Sequence, residues 1–316
     1  MKINKFCLLF IGLILGFVSC KKEDDGFDVV EIEVRDRDEQ QAADMDSLDK
    51  YLKAHYYNKS AFVGNSNPKI ADLIITKITD EVISSDADSL LINAVGQPKT
   101  TVYEDTDYEY FILTLNQGGG TAPTFADDIR FIYEGFTLDD AVFDSALLPV
   151  VSDLAPGIPN KSLISGWGKA MPFFNTSESY IIKNDGTVDY VNPGVGVLFL
   201  PSGLAYFYQS RTGIPAYSPI CFKFELYQTF QNDHDGDGIP SYLEDLNKNG
   251  ELLSADFTTA DDDTDGDSLP NYLDDDDDGD GVPTIDEDIN GDGDPTNDIG
   301  KNGIANYLDP EETASK

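Results

Sequence analysis

Tyr108-Glu109-Tyr110-Phe111-Ile112-Leu113-Thr114-Leu115, running into Gln117-Gly118-Gly119-Gly120, is the stretch from which the rest of the chain can be read. Aromatic and β-branched residues crowd the first eight positions, and three glycines stop them, which is a strand delivered into a loop. Further along, Ile129-Arg130-Phe131-Ile132-Tyr133 is a second strand and residues 195–200 a third. Cys221-Phe222-Lys223-Phe224-Glu225-Leu226-Tyr227 alternates with period two and predicts a strand with one wet face. Residues 163–174 supply the single short helix of this region. Several strands and one helix predict an α+β domain with a mostly antiparallel sheet over residues 106–230.

Within those boundaries a set of short motifs appears in order. Tyr133-Glu134-Gly135 is followed by Val142-Phe143-Asp144-Ser145 and then by Leu163-Ile164-Ser165-Gly166-Trp167. Leu200-Pro201-Ser202-Gly203-Leu204-Ala205-Tyr206, Gly213-Ile214-Pro215 and Phe222-Lys223-Phe224-Glu225-Leu226 complete the set. Together they resemble the FKBP-type peptidyl-prolyl cis-trans isomerases. That resemblance implies an antiparallel half-barrel wrapped on one helix, with an aromatic pocket between them. Trp167, the only tryptophan, would floor the pocket, and Tyr133, Phe143, Ile164, Tyr206, Ile214 and Phe222 would wall it. Asp144 would sit at its edge, Leu163 and Ile164 would offer backbone groups to a proline-containing polypeptide, and Ala205 would line the substrate path. No cofactor is implied for catalysis. Residues 175–192 look like an insertion where the family has a short turn, and they are a candidate lid. Phe207 stands where glycine is common. An FKBP-like module that grips peptides without turnover is therefore the alternative.

On the N-terminal side, residues 42–105 read as a small helical and β region. Asp44-Met45-Asp46-Ser47 leads into Leu48, Tyr51, Leu52, His55 and Tyr56 at helical spacing, ending near Asn58. His55 lies on the apolar side, as a packed aromatic rather than a ligand. Residues 73–83 and 90–95 are short elements, and residues 27–41 read as linker. The first twenty residues are a leader: Lys2 and Lys5 precede an apolar run over 6–18, too short to span a bilayer, which takes ~20 residues. Ser19-Cys20 resembles a bacterial lipobox, which implies lipid on Cys20 and membrane attachment through it. Lys21-Lys22-Glu23-Asp24-Asp25-Gly26 resembles the surface-export signal of Bacteroidetes lipoproteins, on a tether over 21–41. The expected location is the outer membrane, on its periplasmic or its outer face. With Cys7 in the leader, Cys221 is the one thiol well inside the mature chain, and no disulfide framework is available.

The net charge of −38 is concentrated at the C-terminus. Residues 231–316 hold 27 acidic and 3 basic residues, a field that repels nucleic acid and draws divalent cations. Asp233, Asp235, Asp237, Gly238 and Glu244 fit the calcium-loop template at positions 1, 3, 5, 6 and 12, as do Asp276, Asp278, Asp280, Gly281 and Glu287. Looser copies are Asp245, Asn247, Asn249, Gly250 and Asp256, then Asp263, Asp265, Asp267 and Asp274 with Ser268 in place of glycine. Asp288, Asn290, Asp292 and Gly293 form another, and Asp298, Asn302, Gly303 and Asp309 a last one. Calcium takes 6–8 oxygens, and alternate residues of a turning loop present them while glycine allows the bend. Asp245 opens a loop directly after Glu244, so no helices flank these loops as in an EF-hand. They resemble thrombospondin type-3 repeats, which implies an irregular, calcium-dependent region held by several structural ions. His234, between two ligand positions, is expected to be solvated.

Overall fold

The computed structural model describes residues 34–79, 89–253 and 262–315. The chain divides into Met1–Val34 and the unit Arg35–Lys316, to which all elements below belong. In order they are α1 (Arg37–Ala54), β1 (His55–Tyr57), β2 (Ile75–Lys77), α2 (Leu91–Val95), β3 (Lys99–Tyr103), β4 (Thr106–Asn116) and β5 (Asp128–Thr137). There follow β6 (Val142–Asp153), α3 (Ser165–Ala170), β7 (Ser179–Ile182), β8 (Val188–Val191), β9 (Gly194–Leu200) and β10 (Ile220–Phe230). Mixed α and β structure with antiparallel sheets and few helices is what the strand-rich middle of the sequence predicts. Among the described residues no helix is long and apolar enough to cross a membrane.

Six strands pair in the order β3-β4-β9-β10-β5-β6, antiparallel throughout. Alternate side chains of a strand face opposite sides, so each central strand feeds two cores. Tyr108, Tyr110 and Ile112 of β4, Leu198 and Leu200 of β9, and Phe222, Phe224 and Leu226 of β10 pack with α3. Phe111, Leu113, Val197, Phe199 and Cys221 face the other way, against Leu48, Tyr51 and Leu52 of α1 and Leu91 of α2. This second layer corrects two expectations. The alternation of β10 has no wet face: Glu225 is buried, accepting from the Ile70 N–H at 2.8 Å and the Tyr227 hydroxyl at 3.0 Å, with Lys69 Nζ at 3.4 Å. A buried carboxylate so partnered mimics, in sequence, the polar face of an exposed strand. Nor is residue 105 a boundary in space, since β3 is an edge strand of the main sheet and α1 covers its back.

α1 begins at Arg37, so residues 37–41 are helix and not linker. Asp36 caps it by accepting from the Glu39 N–H at 3.0 Å, with Asp38 and Glu39 in the first turn against the helix dipole. The apolar spacing starts only at Leu48, because the first turns bury Gln40, Gln41 and Asp44 instead. His55 follows the helix, buried and stacked on Tyr51 with ring centroids 3.9 Å apart, as a packed aromatic.

Candidate functional site

A cavity of about 570 Å³ opens between α3 and the α3-facing side of the sheet. Tyr133, Phe143, Asp144, Leu163, Ile164, Trp167, Ala205, Tyr206 and Phe222 line it. Of the ten residues expected at the pocket, only Ile214 is absent from the lining; it is buried in the core beneath. The motifs are far apart in sequence, and the sheet brings them together. Register pairs Phe222 with Gly135, and Gly135 with Asp144, so β10, β5 and β6 place aromatic and acid side by side. Gly135 is required by this closeness: a Cβ there would stand 2.6 Å from the Phe143 ring and 2.8 Å from Phe222.

Most of the rings meet edge to face, a preferred aromatic geometry, while Trp167 is tilted on Phe222. Trp167 lies 5.0 Å from Phe222, 5.1 Å from Phe131 and 6.1 Å from Tyr133, and Phe143 stands perpendicular to Phe222 at 5.6 Å. The Tyr133 hydroxyl donates to Asp144 Oδ2 at 2.7 Å, and the Ser145 N–H donates to Asp144 Oδ1 at 2.8 Å. Burial, then the bond to Asp144, pushes the Tyr133 phenol well above its ordinary range, and burial does the same for Tyr206. Both therefore remain hydroxyl donors at neutral pH. The Leu163 N–H is committed to the Asp153 carbonyl at 3.0 Å, so that backbone donor is not offered to a ligand.

The loop after β9, which carries Ala205 and Tyr206, is clamped by α1. Buried Asp44 accepts from the Ser202 N–H at 2.7 Å and the Ser202 hydroxyl at 2.6 Å. Phe207 adopts φ 48, the left-handed region that favours glycine. Its buried ring lies under the Arg37 guanidinium, 4.4 Å away, and edge-on to Tyr217 at 5.4 Å. Packing thus holds a phenylalanine in a glycine conformation. Residues 175–192 do not lid the cavity. They form the β7–β8 hairpin, whose Tyr190 stacks on Tyr227 at 4.0 Å, and none of them lines the opening. Sequence reasoning missed Arg37, Tyr103, Lys169 and residues 250–253 as lining. Lys169 lies on α3 two residues past Trp167, the others come from elements outside the motif set, and none carries a signal of its own.

In the acidic segment the first five loops turn the same way, whereas the Gly303 N–H of the last donates to the Gly300 carbonyl. The N–H of the sixth residue donates to the first carboxylate: Gly238 to Asp233 at 3.2 Å, Gly250 to Asp245 at 2.8 Å, Ser268 to Asp263 at 3.0 Å, Gly281 to Asp276 at 3.1 Å and Gly293 to Asp288 at 3.0 Å. Four groups of carboxylates have ligand atoms within 4.8 Å of one another: Asp233 with Asp235 and Asp237, Asp263 with Asp265 and Asp267, Asp276 with Asp278 and Asp280, and Asp237 with Glu244 and Asp277. The loops opening at Asp245 and Asp288 make no such group among the described residues, because asparagine occupies their alternate positions; Asp256 lies outside the described residues, as does Cys20.

The fourth group was not foreseen. Asp277 sits at loop position 2, where no ligand is expected, yet it is 1% exposed and its two oxygens find no hydrogen-bond partner, as do both of Glu244. Glu287 is orphaned likewise. Burial, compounded by neighbouring acids, raises Glu244 to about 10, Asp277 to about 9 and Asp235 to about 8. Buried carboxylates without partners are costly; a cation among them supplies what the protein does not. The residues fit a hard divalent ion, with Asp277 joining the loop that opens at Asp276 to the one that opens at Asp233.

His234, also at position 2, is not solvated. Its Nε2 lies 2.9 Å from Asp153 and its Nδ1 2.8 Å from the Ser241 hydroxyl. Ser241 is fully buried and does not line the aromatic cavity, so this trio fastens the acidic segment to β6. Tyr272 adds to the seam, donating to the Pro156 carbonyl at 2.8 Å.

A family model described as BamM C-terminal matches residues 234–289. No curated protein matches the chain. Among solved structures, a peptidyl-prolyl cis-trans isomerase from Pseudomonas syringae pv. tomato is similar at 22% identity and a TM-score of 0.32, over 44% of this chain and 86% of that one. FkpA from Escherichia coli is similar at 23% identity and a TM-score of 0.30, over 38% of this chain and 48% of its own.

Proposed function

We propose that this chain is a peptidyl-prolyl cis-trans isomerase of FKBP type, acting as a folding factor. The observation that carries the reading is the convergence of nine motif residues, from five separate stretches of chain, on one aromatic cavity with Asp144 beside its rings. Rotation about a prolyl bond has a barrier of about 18–20 kcal/mol, set by amide resonance. In the twisted transition state that resonance is lost and the carbonyl carries less charge, so water favours the planar ground state. A dry cup of Trp167, Phe143 and Phe222 removes that preference and binds the twisted form selectively. Tyr133, Tyr206 and Asp144 hold the polar ends of the peptide. No nucleophile or proton transfer is needed.

The same proposal assigns the acidic segment to several structural calcium ions, with the groups at Asp233, Asp263 and Asp276 and the joint group at Asp277 as their sites. It assigns Cys20 to a lipid anchor, and the chain to the outer membrane, facing the periplasm or the outside. The proline site has a built-in reporter, since Trp167 is the only tryptophan. Titrating an apolar-Xaa-Pro peptide should change its fluorescence saturably, and Phe143→Ala should weaken the binding. An unresponsive Trp167, together with no binding by calorimetry, would remove the proposal's basis.

A further inference from the structure

The cavity is far larger than one proline ring and does not end at the aromatic cup. Beyond Trp167, α3 continues past Gly168, which packs so closely on the backbone of Leu154 and Phe125 that a Cβ would come within 3.3 Å and 3.5 Å of their carbonyls. Here the lining changes to Tyr103, Phe125, Leu154, Pro156, Leu252 and Leu253. The last two belong to the acidic segment, which thus forms a wall of the same opening as Phe222. The wall is fixed in place. Lys169 Nζ, at the end of α3, donates to the Gly250 carbonyl at 2.8 Å and lies 3.4 Å from Glu251. Leu252 is fully buried with Ala126, Ala155 and Tyr272, and Leu253 packs half-buried against that cluster. Asp245 holds the turn from below through the Gly250 and Asn249 N–H groups.

We propose that this second compartment is a specificity subsite for an apolar residue two or three places from the proline, outside the Xaa-Pro pair itself, and that residues 250–253 of the acidic segment are part of the peptide-binding cleft. The inference rests on the proline-site reading and deepens it. A peptide that leaves the cup along α3 meets Leu154, Pro156, Leu252 and Leu253, which line the same opening. Glu104 and Glu251 border the compartment together with Arg37 and Lys169, the last ion-paired to Glu251, so its charges balance and draw no acidic residue in. Burial of one apolar side chain is worth about tenfold or more in affinity, so the subsite should select clients by a residue two or three places from the proline.

The test uses the full chain and synthetic peptides. A short Ala-Leu-Pro-Ala peptide is compared with versions extended on either side by Leu, Ala or Glu, each binding followed by calorimetry. On one side the Leu extension should bind about tenfold tighter than the Ala extension, and Glu no tighter than Ala. Leu253→Ser should shrink the Leu-over-Ala ratio to about twofold or less, while Leu253→Met restores it, with the melting temperature of each variant confirming the fold. Equal affinity for Leu, Ala and Glu extensions, or a ratio unmoved by Leu253→Ser, overturns the subsite. Failure of the proline-site reading looks different: the short peptide itself would not bind.

Discussion

Asp277→Asn isolates the joint carboxylate group from everything else in the protein. The side chain is isosteric and keeps one ligand oxygen, but the negative charge is gone. The attraction of a divalent ion for one carboxylate about 4 Å away is roughly 8 kcal/mol at an effective dielectric near 20. Against it stands the proton: burial holds Asp277 up to about 9, so at pH 7 ionising it costs about 3 kcal/mol. The balance, about 5 kcal/mol, is a ceiling, because the asparagine carbonyl still ligates and the retained Asp237 and Glu244 still attract. The expected loss in calcium affinity at this site is at least about tenfold, or about 1.4 kcal/mol. Isothermal titration of the full chain with calcium reads it, with exposed Asp286→Asn as the control for net charge. With chelator present the variant should match the parent near pH 4, where Asp277 keeps its proton folded or unfolded, and should exceed it in melting temperature at pH 7 and more so at pH 9, since ionisation of Asp277 then favours only the unfolded parent. Calcium affinity changed by less than about twofold, no more than in the control, would refute the joint site.

The pH dependence of the metal-free chain follows from the same acids. Asp235, Asp277 and Glu244 hold their protons up to about 8, 9 and 10 in the fold, chiefly through burial, against ordinary values of 3.8 and 4.5. The folded chain therefore binds more protons than the unfolded one, and stability in chelator should fall as pH rises from about 5 to about 9; saturating calcium should reverse that trend, as melting curves would show. Ser268 holds φ 82 at the sixth loop position, where the other loops have glycine, so Ser268→Gly should raise the chelator-free melting temperature, with a gain of about 0.5 kcal/mol. Cys20→Ala should shift the protein from the membrane to the soluble or unprocessed fraction; unchanged membrane association would exclude the lipid anchor.

The strands of the main sheet could be read directly, because aromatic and β-branched residues fill them and glycine, proline or charge ends them. Nine cavity residues could be read as well, since the motif order survives at recognisable spacing. What could not be read arises where two layers meet. The polar residues Gln40, Asp44 and Glu225 are buried by partners far along the chain, so each looks in sequence like a surface position. Asp277 and His234 occupy the position of the loop template that carries no ligand, and only the stacking of one loop on another, or on β6, gives them work. The hairpin over 175–192 is visible as an insertion, but its place beside Tyr227, away from the cavity, depends on a stacking contact that no pattern announces. Phe207 departs from the glycine expected there because Arg37 and Tyr217 supply packing that a glycine would not need.

The central claim is turnover at the aromatic cavity. It is tested most directly by measuring the cis-to-trans rate of a Leu-Pro peptide, with calcium present, in the full protein and in Trp167→Ala. Uncatalysed isomerisation takes about 10–100 s, so a catalysed component is easily resolved. Trp167 is buried among four aromatic rings, and its loss should cost about 3–5 kcal/mol of stability, so folding of the variant is confirmed by circular dichroism at low temperature. Tyr133→Phe, which keeps the ring and removes the bond to Asp144, gives a milder comparison. The account predicts a rate that rises in proportion to protein concentration, is lost in Trp167→Ala, and falls in Tyr133→Phe more through kcat than through KM. A protein that binds the peptide at Trp167 yet leaves the isomerisation rate at the buffer value would contradict it and make the cavity a peptide-binding site without turnover.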